Sequence, residues 1–305
     1  MSKPYSGNWV IRTMLFTPGH VEKLIPKSAN SKADVVVLDL EDAVPPKSKI
    51  EARQTIRRVL EEGVFADKTV MVRINPMDTG LTLLDLDAVA CKQLNGFIFP
   101  KPYTSDDIKA FDAQLSLKEK TLGLKSGHFE IVVLIETALG VLNAYEIATA
   151  TPRIIGLLFG SEDYLAEIQG LHSENATSLL TARSIVAIAS RAAGIVPIDT
   201  PFVDVHNEDG FAKHLQQGRE LGFDGLLVMT PSQIDSARDV YTPDREEVAW
   251  AEEIVHLADE ARADGRGIAI YEGKFISPPT EKRARAVLNR YHQIANFEDY
   301  FRNHS

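Results

Sequence analysis

Residues 131–163, IVVLIETALGVLNAYEIATATPRIIGLLFGSED, carry the pattern that decides the fold. Two short apolar runs, 131–135 (IVVLI) and 154–159 (IIGLLF), flank a segment suited to a helix. Glu136 directly follows the first run, and Asp163 closely follows the second. The runs are nearly continuous in hydrophobicity, as strands are when helices cover both faces of a parallel sheet.

The same alternation extends outward in both directions. Further apolar runs lie at 9–16 (WVIRTMLF), 34–40 (DVVVLDL), 69–74 (TVMVRI), 96–99 (GFIF), 195–198 (IVPI) and 225–229 (GLLVM), which brings the count to eight. Between them, 48–62 repeats apolar residues at helical spacing and stops at Gly63. Thr104 to Asp107 offer N-caps to a helix over 108–115, and 177–193 and 209–221 also suit helices. Pro231 starts another after the eighth run. Eight strands alternating with helices fit a closed (β/α)8 TIM barrel or an open doubly wound sheet. A dinucleotide-binding sheet would carry G-x-G-x-x-G after an early strand, whereas the first strand here runs into Thr17-Pro18-Gly19-His20. The barrel is therefore the expectation: an α/β fold with a TIM-barrel catalytic domain over residues 1–240. Composition shifts after Tyr241, and 241–305 reads as a C-terminal helical extension, with helices at 244–263 and 281–294 and a break at Pro278-Pro279.

The net charge of −10 argues against a nucleic-acid partner, since such binding rests on a basic surface. A single cysteine, Cys91, rules out an internal disulfide and a thiolate metal cluster, and its apolar setting reads as buried. The first residues, MSKPYSGNWVIRT, lack the apolar stretch of a secretory leader, and no run approaches a membrane span, so a cytoplasmic protein without a membrane partner is expected.

A TIM barrel places its chemistry at the C-terminal ends of its strands. Those ends carry Asp39, Glu41 and Asp42; Arg73 and Asn75; Lys101; Glu136; Asp163; Asp199; and Thr230. So much charge on one rim is costly unless it is paired or bound to a cation. Oxygen donors without Cys, and mostly without His, favour Mg²⁺, or else Mn²⁺, over zinc. Glu136 and Asp163 follow adjacent strands, so both could reach one ion, and such a metal could chelate a 2-oxo acid through its carboxylate and carbonyl oxygens. Blander roles compete: Glu136 as a helix-dipole partner, Asp163 as an N-cap, Arg73 as a neutraliser of Asp39 or Asp42. Arg12 reaches the mouth, as a substrate contact, under only one choice of strand register. His20 and His206 follow strand ends, while His256 and His292 lie within helical patterns; none has metal spacing. No G-x-S-x-G supports a serine hydrolase.

Taken together, Arg12-Thr13-Met14-Leu15-Phe16-Thr17-Pro18-Gly19, Leu38-Asp39-Leu40-Glu41-Asp42-Ala43-Val44, Lys49-x-x-Ala52-Arg53, Val72-Arg73-Ile74-Asn75, Phe99-Pro100-Lys101, Ile135-Glu136-Thr137, Phe159-Gly160-x-x-Asp163 and Thr230-Pro231-Ser232-Gln233-Ile234 resemble the citrate lyase β-subunit-like family of the HpcH/HpaI aldolase superfamily. The resemblance spans about residues 10–290. It implies a Mg²⁺-dependent TIM barrel that makes or breaks carbon–carbon bonds in malyl-, citramalyl- or citryl-type thioesters of CoA or an acyl carrier. It implies Glu136 and Asp163 as metal ligands, with Glu136 thereby also in contact with substrate, and Arg73 on the oxo-acid end. It further implies a homotrimer or hexamer whose C-terminal segment packs on a neighbouring subunit. Asp39, Asp42 and metal-bound hydroxide are the candidate bases.

Two motifs depart from the family pattern. Where CoA-lyase members often read D-G-x-M-I-D, this chain has Glu272-Gly273-Lys274-Phe275-Ile276-Ser277, so Ser277 replaces the acid/base carboxylate. The usual I-H-P-x-Q-I is Met229-Thr230-Pro231-Ser232-Gln233-Ile234. Two alternatives follow: a metal-dependent aldolase on free 2-oxo or hydroxy acids, and a non-catalytic oxo-acid-binding homologue.

Overall fold

The structure is a computed structural model that describes residues 9–173, 176–266 and 268–304. The expected absence of a secretory leader rests largely on residues 1–8, which lie outside the described residues. The eight apolar runs become β1 (Thr13–Pro18), β2 (Val35–Asp39), β3 (Thr69–Arg73), β4 (Gly96–Pro100), β5 (Glu130–Ile135), β6 (Ile154–Phe159), β7 (Val196–Asp199) and β8 (Gly225–Val228). Each pairs with its sequence neighbours in parallel, and β8 closes on β1 through Thr13↔Leu226 to Leu15↔Val228, forming a closed barrel. Every residue of β2, β3, β4, β6, β7 and β8 is buried, which explains why these strands show no polar alternation.

Strand alternation divides these residues between two cores. Met14, Val35, Val37, Met71, Ile98, Val132, Leu134, Leu158, Ile198 and Leu227 form one cluster in the barrel interior. Their strand neighbours face the helices: Phe97 meets Phe111 of the helix Ser105–Thr121 edge-on and Phe99 lies tilted against it, at 5.9 and 4.8 Å between ring centres. The inward parity of β2, β3 and β5 continues upward to Asp39, Arg73 and Glu136, which places these residues at the mouth.

The first strand begins at Thr13 rather than at residue 9, and this corrects the reading of Arg12. Arg12 lies just before β1, at the N-terminal end of the barrel. It is 1% exposed, and its backbone N, Nε and Nη2 all donate to Asp34 at 2.8–2.9 Å. Arg12 braces the floor of the barrel, opposite the mouth, and is not a substrate contact.

The chain divides into two compact units, residues 1–238 and 239–305. In the second, Asp244 caps the helix Arg245–Ala263, accepting from Glu247 N. A hairpin that the sequence pattern does not announce follows, β9 (Ile270–Tyr271) with β10 (Lys274–Phe275). Its two-residue turn puts Glu272 and Gly273 at positive φ (47° and 75°), as a primed turn requires. Pro278 and Pro279 do not break a helix; they open the last one, Pro278–His304, where their fixed φ suits a first turn. Ala251, Ile254 and Ala284 centre this unit's small core. Among the described residues no helix is long and apolar enough to cross a membrane.

Candidate active site

Asp39 and Arg73 end paired strands in register. Asp39 is fully buried and accepts Arg73 Nε and Nη2 at 2.7 Å each, in a bidentate fork. It also accepts the backbone N–H of Glu41 at 2.9 Å and of Ala43 at 3.1 Å. With four bonds made, Asp39 is poorly placed to take a proton; it holds Arg73. Arg73 lies 5.0 Å from the centre of the Phe16 ring. Burial opposes its charge, but Asp39, Glu41 and Glu136 more than offset that, so its pKa is raised. Its Nη1 faces Glu41 Oε2 at 2.7 Å and Asp42 Oδ2 at 3.5 Å. The Asp42 side chain is 61% exposed, unlike those of Glu41 and Arg73.

Glu41 lies in the loop just past β2 and joins the same cluster. Its Oε1 accepts Lys101 Nζ at 3.0 Å, and the same ammonium lies 3.5 Å from Asp163 Oδ1. Lys101 is a non-glycine residue at φ 52°. A left-handed backbone there costs about 1–2 kcal/mol, a strain often kept where function needs it. Its own N–H still donates to Leu134 O, continuing the β4–β5 ladder for one step before the chain turns.

Glu136 is 3% exposed, and its Oε1 has no hydrogen-bond partner. A Cβ on Gly160 would lie 2.7 Å from Glu136 Oε2 and 2.8 Å from its Cβ, so only glycine lets the end of β6 close on this carboxylate. Burial pushes the Glu136 pKa well above the usual carboxylate value; Glu41 adds to the rise, Lys101 and Arg73 oppose it, and Asp163 adds again. Glu41 is raised too, first by burial, with Arg73 opposing and Asp42 adding. Asp163 lies in the first turn of the helix Ser161–Ile168, with Gly160 at the N-cap position and the Asp163 carboxylate against Lys101.

The donor set suits a hard divalent cation. Apart from the exposed Asp42, four carboxylates (Asp39, Glu41, Glu136, Asp163) meet two cationic side chains (Arg73, Lys101), leaving a negative excess around an orphaned oxygen. No group of three or more His, Cys, Asp or Glu side chains among the described residues makes an all-protein cage. Mg²⁺ needs none, since it takes one or two carboxylates and completes its shell with water and substrate.

A second layer explains the Lys49-x-x-Ala52-Arg53 pattern. Lys49 Nζ donates to Leu40 O, Glu41 O and Asn75 Oδ1 at 2.6–3.0 Å. Asn75 donates to Asp85 at 2.6 Å, and Arg53 Nε closes the chain on Asp85 at 2.7 Å. This network fixes the loop that carries Glu41. Other strand-end residues make different contacts. Asp199 is buried on the helix side against Arg183 of the helix Thr177–Ala193, at 2.5 and 3.0 Å. Thr230 shares a capping box with Gln233, so the altered Thr230-Pro231-Ser232-Gln233 motif builds a turn. His20 Nδ1 is buried without a partner, and His206 is exposed. Cys91 is 4% exposed, and burial raises its thiol pKa, which suits packing rather than nucleophilic chemistry. Glu41 and Lys101 are the two site residues that strand-end reasoning undervalues; both stand in the motifs that carry the family resemblance.

Comparison with known proteins converges on one group. The model of the HpcH/HpaI aldolase/citrate lyase family matches residues 12–231. The citrate lyase subunit beta of Haemophilus influenzae is 35% identical over 279 residues, covering 92% of this chain and 96% of its own length. A (3S)-malyl-CoA thioesterase of Cereibacter sphaeroides is 31% identical over 286 residues, covering 94% and 96%. The structure of CitE from Mycobacterium tuberculosis in complex with magnesium, acetoacetate and coenzyme A superposes with a TM-score of 0.72 at 27% identity, covering 92% and 97%. The citrate lyase beta subunit of the same organism, complexed with oxaloacetate and magnesium, gives 0.63 at 26%, covering 77% and 98%.

Proposed function

The chain belongs to the HpcH/HpaI aldolase/citrate lyase family, a carbon–carbon lyase by type, and from that premise we propose that it uses Mg²⁺ to cleave a malyl-, citramalyl- or citryl-type acyl thioester into a 2-oxo acid and a shorter acyl thioester. The observation that carries this reading is the buried, unpartnered Oε1 of Glu136 in a mouth with excess negative charge. The magnesium and oxo-acid ligands of the Mycobacterium tuberculosis relatives support it.

Glu136 and Asp163 would hold the ion, which when bound supplies Lewis-acid polarisation of the substrate oxygens. Arg73, locked by Asp39 and facing Glu41 through Nη1, would act as a preorganised positive clamp on the oxygen that becomes the carbonyl. Asp39 is committed to Arg73, so Asp42, 3.5 Å from that guanidinium, takes the hydroxyl proton as the carbon–carbon bond breaks. The electron pair of that bond passes to the thioester α-carbon, which then takes a proton from water, while Asp42 returns its own to solvent. The chain assembles as a homotrimer or hexamer in this reading, with residues 239–305 packed on a neighbouring subunit; light scattering on the purified protein tests it.

Ser277 favours a second reading, an aldolase acting on free acids. Its Oγ bonds Thr280 Oγ1 at 2.9 Å and accepts Thr280 N at 3.3 Å, so it serves the first turn of the last helix rather than offering a carboxylate. One panel decides between them. Protein with Mg²⁺ is given malyl-, citramalyl- and citryl-CoA and the matching free acids, and glyoxylate, pyruvate and oxaloacetate are measured. Release from thioesters alone supports the first reading, and release from free acids supports the second. Inactivity across the panel refutes both.

A further inference from the structure

Lys101 is placed where alternation along β4 would not put it. Ile98 faces the barrel interior, and Phe97 and Phe99 face the helices, so a continued strand would carry residue 101 outward. The left-handed turn at φ 52° reverses that course and brings Nζ into the mouth. There it stands 3.0 Å from Glu41 Oε1 and 3.5 Å from Asp163 Oδ1 and interacts electrostatically with Glu136. One ammonium thus serves three carboxylates from three different strand ends, two of which are the proposed ligands of the cation.

We propose that Lys101 is a tethered stand-in for the divalent ion: without metal its ammonium occupies the acidic mouth, and metal binding displaces it from Asp163. This rests on the metal-lyase reading above and adds a competitor supplied by the chain itself. The side chain is 22% exposed and its stem flexible, so it has room to swing aside. Glu41, its closer partner, retains it after displacement.

The test measures metal binding rather than turnover. Mn²⁺ alone, without substrate, is titrated into metal-free wild type, Lys101→Met and Lys101→Arg, and free Mn²⁺ is followed by electron paramagnetic resonance. Lys101→Met is expected to bind Mn²⁺ at least tenfold more tightly, with Lys101→Arg close to wild type. Lys101→Met is also expected to melt below wild type in EDTA and to gain more from added Mg²⁺. Should Lys101→Met not fold, Lys101→Gln carries the same expectations. Equal or weaker Mn²⁺ binding by the neutral variant, with wild type binding normally, overturns the stand-in role and leaves the lyase reading intact. No binding by any of the proteins overturns both.

Discussion

Removing the charge of Glu136 while keeping its shape is the perturbation with the clearest outcome. Glu136 is 3% exposed, and one of its oxygens has no partner. Leaving a buried polar group unsatisfied costs about 1–3 kcal/mol, and more when it is charged. Burial and then Glu41 raise its pKa well above the ordinary 4.5, so the anion is disfavoured in the folded state despite Lys101 and Arg73. Gln keeps a polar group in that place but carries no charge, so Glu136→Gln should stabilise the metal-free protein by about 1 kcal/mol or more at neutral pH. For a unit of this size that is a rise in Tm of roughly 2–4 °C per kcal/mol.

The sign of the pH dependence follows from the same shift. The folded pKa lies above the unfolded one, so the favourable contribution is complete below about 4.5 and is lost as pH climbs through the folded value. Wild type in EDTA should lose stability across that window. Glu136→Gln should lose less, with Glu41, which is raised in the same direction, still contributing its slope. Thermal melts over a pH series, with EDTA and with Mg²⁺, measure all of this at once. Wild type should gain Tm from Mg²⁺, and the variant should not. A variant that melts below wild type in EDTA, or that keeps the full Mg²⁺ gain, refutes the picture of a charge buried to await a cation.

Arg73→Lys keeps a charge but cannot span Asp39 with a fork while also facing Glu41; kcat should fall about 10²–10³-fold in whichever lyase assay wild type passes, and a loss below tenfold would exclude Arg73 as the clamp. Arg12→Met should leave KM unchanged in any surviving enzyme but cost about 3–5 kcal/mol in denaturant unfolding, because it strands the buried Asp34; a raised KM without lost stability would restore Arg12 to the mouth. Burial lowers the His214 pKa from 6.5, with Asp199 opposing, so this neutral ring contributes stability that is complete above about 6.5 and fades as pH falls through the folded value. His214→Gln should flatten that acid limb in urea midpoints taken against pH, and an unchanged limb would reject the assignment.

The strand count is legible in the sequence because helices cover both faces of the sheet, leaving uninterrupted apolar runs. Sequence also locates Glu136, Asp163 and Arg73, since each stands at or just past the C-terminal end of a strand. It does not say which end of a strand a flanking charge occupies when the first residue of that strand is uncertain. Arg12 sits inside an apolar run that begins at residue 9, but the strand starts at Thr13, and that offset moves the guanidinium from mouth to floor. Nor does it tell inward from outward at a strand end without the parity of the whole strand. Ile198 faces in, so Asp199 faces out and meets Arg183 among the helices.

Parity also explains why the site takes the form it does. Inward alternation carries Asp39, Arg73 and Glu136 to the mouth, and the loop after β2 adds Glu41, so three acids meet one arginine there. Two departures from regularity complete the site. Gly160 removes a side chain so that β6 can close on Glu136, and Lys101 adopts a backbone conformation that L residues avoid in order to bring a cation back over the rim. Each departure costs conformational free energy, and neither builds a larger core. Their shared effect is to hold carboxylates close together, short of full compensation, where a further cation gains more than it would from a neutralised site.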